Sequence, residues 1–176
     1  MAAPHLVRRF TRSLSRRPPG AADVEWVRSL LTPGEFALWS RLPNQDRSHS
    51  VRVARRTEAA LASTPWAGDR VWLDAALMHD VGKYDAGLGL YGRVAATLCG
   101  AVGGPGMPDA WSGRGGFTRR VGLYLRHGEI GADMIRLAGG PEQSAVWAAA
   151  HHHPDTWAGL GLDPQLARAL DAADHE

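Results

Sequence analysis

An all-α fold, a compact bundle of about six or seven helices, is what the sequence predicts. Apolar residues recur at three- and four-residue spacing, and proline and glycine stops separate these runs. No stretch alternates polar with apolar residues as a half-buried strand would. The chain has 176 residues, 44% of them hydrophobic and 22% charged, which suits one domain with a sizeable core and argues against wholesale disorder.

Residues 1–22 read as a separate basic arm. Arg8, Arg9, Arg12, Arg16 and Arg17 occur there with no acid before Asp23. Such a stretch can bind an anionic surface or nucleic acid, or serve as an organellar transit peptide. The reading preferred is a solvated, partly disordered arm ended by Pro18-Pro19-Gly20, so nucleic acid is not an expected partner. Residues 23–176 form a single helical domain.

The first helix is expected over Asp23 to Leu31, with Trp26, Val27, Leu30 and Leu31 facing inward, stopped by Thr32-Pro33-Gly34. Glu35 to Leu42 adds a short helix ended by Pro43. Asn44 or Asp46 caps a third, running to about Ala62, on which His49, Val53 and Ala60 share a face. The next runs from Asp69 to Val81. On it Trp72, Ala75, Ala76 and His79 repeat at helical spacing, and Leu73, Ala76, Leu77 and Asp80 follow one residue on. Lys83 joins their face if the helix continues past Gly82.

Leu88 to Leu98 is a further helix. The glycine-rich segment at about 100–116 is expected to be a long flexible loop, flanked by Arg93, Arg119 and Arg120, read as solvated charges. Phe117 to Leu137 forms one helix with Leu123, His127, Ile130 and Met134 on a face. Pro141 opens a helix that ends near His151 and His152, and Pro154 closes it. The last helix starts near Asp163-Pro164 and carries Leu166, Ala169, Leu170 and Ala173. No apolar stretch approaches the roughly 18 residues of a membrane span. One cysteine, Cys99, excludes an internal disulfide, reads as a small core residue, and fits a reducing compartment, so a cytoplasmic location is expected.

The chemistry is carried by histidines and aspartates. His79-Asp80 lies in the apolar run Ala75-Ala76-Leu77-Met78, where a charge is costly unless it is paired or binds a metal. His49, His127, His151 and His152 accompany it on other helices, with an aspartate near the end of the chain. One histidine on an apolar face is more often a satisfied core residue than a ligand. That explanation would have to serve four helices at once, whereas ligands converging from several helices are how all-α proteins build metal sites. Imidazole nitrogen and carboxylate oxygen suit divalent first-row metals. Asp174 and Asp171 compete for the last place, and Asp174 lies nearer the apolar face set by Leu166.

His79-Asp80-Val81-Gly82-Lys83 resembles the HDxGK core of the HD-domain phosphohydrolase superfamily, over roughly residues 44–176. The ordered series H…HD…H…HH…D resembles it as well. The resemblance implies a bundle of the HD-domain type and a first metal held by His49, His79, Asp80 and Asp174. His127-Gly128-Glu129-Ile130-Gly131 resembles the HxxxG word of binuclear members, and His151-His152 their double histidine, so His127, His151 and His152 are expected to hold a second metal.

The implied activity is metal-dependent hydrolysis of a nucleotide or other small phosphate ester through an activated water. Asp80, bridging two ions, and Lys83, meeting a phosphate oxygen, are the expected catalytic residues. The metal would be Mn, Fe, Mg, Ni or Zn. The region after the double histidine lacks the GYP word of the branch that hydrolyses cyclic dinucleotides, which points away from that substrate. Two alternatives use the same scaffold: a di-iron oxygenase, and a non-catalytic regulatory module. Asp174 also falls two residues from the end of the sequence, where helices fray.

Overall fold

Proline and glycine close most helices near the positions expected from sequence. The computed structural model describes residues 17–104 and 106–175, and these are helical with no strand among them. Residues 1–16 of the basic arm lie outside the described residues, while Arg17 is exposed and the first helix already begins at Ala21. The helices are α1 (Ala21–Leu30), α2 (Pro33–Arg41), α3 (Asn44–Leu61), α4 (Arg70–Met78), α5 (Lys83–Ala86) and α6 (Leu90–Val102). They continue as α7 (Met107–Ser112), α8 (Gly116–Leu125), α9 (His127–Leu137), α10 (Glu142–Ala150) and α11 (Pro164–His175). Two 3-10 turns, Pro154–Thr156 and Ala158–Leu160, join α10 to α11. None of these helices is long and apolar enough to cross a membrane.

The helices outnumber those expected because two long segments break and an expected loop is largely helix. The helix of His79 ends at Met78, and short-range bonds then close a tight turn, Val81 N–H to Met78 C=O at 3.0 Å and Lys83 N–H to Asp80 C=O at 3.0 Å. The segment 117–137 divides at Arg126, whose φ of −98° and ψ of 12° leave the helical region. The expected loop at 100–116 is largely helix, since α6 runs on to Val102 and α7 follows with Pro108 in its first turn. Glycine there serves packing as well as turning. A Cβ at Gly122 of α8 would collide with the Ser112 amide, so α7 and α8 meet backbone to backbone.

Capping differs as well. Thr32 and Glu35 form a reciprocal capping box on α2, with Glu35 N–H donating to Thr32 Oγ1 at 3.2 Å and Thr32 N–H to Glu35 Oε2 at 3.0 Å. Neither Asn44 nor Asp46 caps α3, whose N-cap is Pro43. Asp46 instead accepts both terminal nitrogens of Arg93 at 2.6 Å each, and Arg93 Nε donates to the Leu88 carbonyl at 3.0 Å. The expected solvated Arg93 is thus a partly buried tie between α6 and α3, because a bidentate guanidinium–carboxylate pair outcompetes a helix cap. Arg120 donates to the Ala86 carbonyl at 3.0 Å but, like Arg119, stays exposed as expected.

The main core is built by α1–α4 and α9–α11 around Trp39, Leu77, Met78, Ile135, Leu166 and Leu170. A second, smaller cluster of Ala86, Leu88, Ala96 and Val121 lies under α5–α8, and Cys99 is only partly buried against it. Two acids are enclosed in the main core, Glu35 at 0% exposure and Asp74 at 3%. Burial first, and then the neighbouring Glu35, push the Asp74 carboxyl up to about 7 against an opposing hydrogen bond from Ser144.

Candidate metal centre

Three histidines stand where helices stop. His79 follows the last residue of α4, His151 follows that of α10, and His127 comes just after the break that ends α8. The last turns of a helix leave carbonyls without amide partners, and each ring takes one of them. His79 Nδ1 donates to Ala76 C=O at 2.8 Å, His127 Nδ1 to Tyr124 C=O at 2.7 Å and His151 Nδ1 to Ala148 C=O at 2.8 Å. A carbonyl only accepts, so Nδ1 carries the proton and Nε2 presents its lone pair inward. Three helix C-termini also turn their negative dipole ends toward this space, which favours a cation.

Glycines bring these ends together. A Cβ on Gly82 would collide with the His127 carbonyl, and one on Gly131 would lie 3.1 Å from the Gly82 amide. The glycine of the HDxGK word and that of the HxxxG word therefore touch, which seats Asp80 beside His127. Gly128 does the same for α10, since its Cβ would stand 2.7 Å from the Ala148 carbonyl.

Asp80 sits at the centre. Its Oδ2 is 3.4 Å from His79 Nε2 and 4.0 Å from His49 Nε2, while its Oδ1 is 3.3 Å from His127 Nε2 and 3.7 Å from His151 Nε2. Asp174 Oδ1 lies 2.9 Å from His49 Nε2 and 3.6 Å from His79 Nε2. The seven side chains form two groups able to hold a cation, His49, His79 and Asp174 in one and Asp80, His127, His151 and His152 in the other. Within each group, ligand atoms lie within 4.8 Å of one another. All seven positions singled out in the sequence are brought together. His152 is the exposed member, its ring 3.9 Å from that of His151 and 5.1 Å from that of His127.

A cation fits this donor set. His79 Nε2, His127 Nε2, His151 Nε2, Asp80 Oδ1 and Asp174 Oδ1 are buried with no hydrogen-bond partner among the described residues. The short His49–Asp174 approach lacks hydrogen-bond geometry, so it does not satisfy Asp174 Oδ1. Five orphaned polar atoms aimed at one space would be costly unless a shared cation compensates them. Burial opposes charge on His79, but Asp80 and Asp174 outweigh it and push the ring up to about 10. Burial would raise Asp174, yet His49 and His79 hold its carboxyl well below the usual range. Asp80 is likewise depressed against its own burial by Lys83 and His79. Burial lowers His127, and burial with the two neighbouring imidazoles pushes His152 down to about 3.

Lys83 joins the site although α4 does not extend to it. The tight turn after His79 delivers its Nζ to Asp80 Oδ2 at 2.5 Å. Sequence reasoning missed two residues. Arg56 on α3 donates to the Ala173 carbonyl at 3.1 Å and so ties down the end of α11, where fraying was expected. Tyr124 supplies the carbonyl that orients His127, and its place three residues before that histidine was the available signal. Comparison with protein-family models, curated proteins and solved structures gave no match.

Proposed function

We propose that this chain is a metal-dependent phosphohydrolase of the HD-domain type, acting on a nucleotide or another small phosphate ester. The observation that carries the reading is the division of Asp80. Its two oxygens face two separate histidine groups, the arrangement a carboxylate needs to bridge two divalent ions. His49, His79, Asp174 and Asp80 Oδ2 would hold one ion, and His127, His151, His152 and Asp80 Oδ1 the other. Bound divalent ions would supply an activated water and charge to oppose the phosphoryl oxygens.

The chain's own residues supply the rest. Three Nδ1–carbonyl bonds fix the ligand rings so that no reorientation is needed on loading. Lys83, partly exposed beside Asp80, brings a positive charge to a phosphate oxygen. Burial of Asp80 and its neighbours excludes bulk water and strengthens each of these interactions.

Metal analysis of the purified protein, followed by a panel of nucleotides and phosphodiesters with Mn²⁺, Mg²⁺, Fe²⁺ or Ni²⁺, tests the proposal. Two metal equivalents and phosphate release support it. Iron with dioxygen uptake and no phosphate release would replace it by the oxygenase reading.

A further inference from the structure

Tyr124 is the residue that links the second histidine group to Lys83. Its ring centroid is 5.7 Å from that of His127, and the Lys83 ammonium lies 5.9 Å from the same centroid. The side chain is partly exposed, unlike those of His127 and His151. Its hydroxyl makes no hydrogen bond to the described residues, although its backbone carbonyl is committed to His127. A phenol is a neutral donor at pH 7, and an ammonium has three donors, of which Asp80 takes one. Lys83 thus keeps donors to spare beside a tyrosine ring whose hydroxyl has no partner among the described residues. Both stand at the accessible edge of a cluster whose deeper members are closed off.

We infer that Tyr124 and Lys83 form a subsite for a phosphoryl oxygen, in which the phenol donates to the anion and the ammonium neutralises it. The inference rests on the phosphohydrolase reading and adds a substrate-binding residue to it. Tyr124 carries two roles in separate atoms: the carbonyl orients His127, and the hydroxyl meets the ligand. Removing the hydroxyl alone leaves the first role intact.

The test uses the full chain loaded with Mn²⁺, with inorganic phosphate as the probe. Tyr124→Phe should keep the wild-type metal stoichiometry and helical circular dichroism while weakening phosphate binding about tenfold by calorimetry. On any ester that is turned over, the same variant should raise KM more than it lowers kcat. Tyr124→Ala should weaken phosphate at least as much. Unchanged phosphate affinity in Tyr124→Phe overturns the inference, as does loss of metal in that variant or a wild-type protein that binds no phosphate. A wild type that binds phosphate, weakened by Tyr124→Phe, but hydrolyses no ester retains the subsite and rejects the hydrolase reading alone.

Discussion

Asp80 shows how much one side chain is asked to do: its two oxygens face different histidine groups, and among the described residues no other carboxylate stands between them. His79→Ala or Asp80→Ala should therefore abolish phosphate release and lose metal while the helical circular dichroism persists. Retained metal and activity in both variants would make the pair structural. His127→Ala should remove about one metal equivalent by elemental analysis, because the first group keeps its own three ligands. Asp174 and Asp171 give the sharpest contrast. Asp174 is 11% exposed and faces His49, whereas Asp171 is 39% exposed and lies 3.3 Å from His175. Outer-shell changes at metal sites typically cost about 10–100-fold in affinity, so Asp174→Asn should exceed that, and Asp171→Asn should change little.

At the scale of elements, the glycine contacts between the HD turn and α9 set the distance between ligands. Gly82→Ala should separate Asp80 from His127 and cost roughly 2 kcal/mol or more as overpacking, with metal loss preceding unfolding in a chelator titration. Breaking the partly buried Arg93–Asp46 tie by Arg93→Met should cost about 2–3 kcal/mol and loosen α6 from α3, read as a lower denaturation midpoint. Asp74 on α4 supplies a pH dependence. Its folded carboxyl titrates near 7, above its unfolded value, so the folded state holds a proton that the unfolded chain releases. The resulting stability is fully present below about pH 4 and is lost as pH rises through about 7. Asp74→Asn should flatten that decline in chemical denaturation measured from pH 5 to 8. An unaltered slope would mean that another group holds the proton.

For the whole molecule, ion binding should act as a tertiary staple, since the seven ligand side chains come from α3, α9, α11 and the turns that end α4 and α10. A cation that binds only the folded chain at 100 times its Kd adds about 2.7 kcal/mol. For a domain of this size the melting temperature should rise by about 5–10 °C. Differential scanning with Mn²⁺ against a chelator checks this, and the gain should vanish in Asp80→Ala. The thin cluster beneath α5–α8 should melt or exchange first, because four buried residues hold it while the main core encloses many more.

The sequence by itself determined that the chain is helical, roughly where helices run, and which histidines and aspartates gather at the candidate centre. Helical periodicity, proline stops and a histidine or aspartate on an apolar face are local properties, written within a few residues of each other. It misjudged the 100–116 segment because glycine composition does not distinguish a turn from close helix packing, and Gly122 shows the second. It also placed His79 and Asp80 inside a helix, since hydrophobic spacing does not register that the backbone tightens after Met78. Only the tertiary structure decided that the two Asp80 oxygens face different groups, that Arg93 pairs with Asp46, and that Arg56 closes α11. The last two depend on contacts between segments 47 and 117 residues apart. Their partners are chosen by which helix faces meet in the packed core, and spacing along one helix carries no information about that.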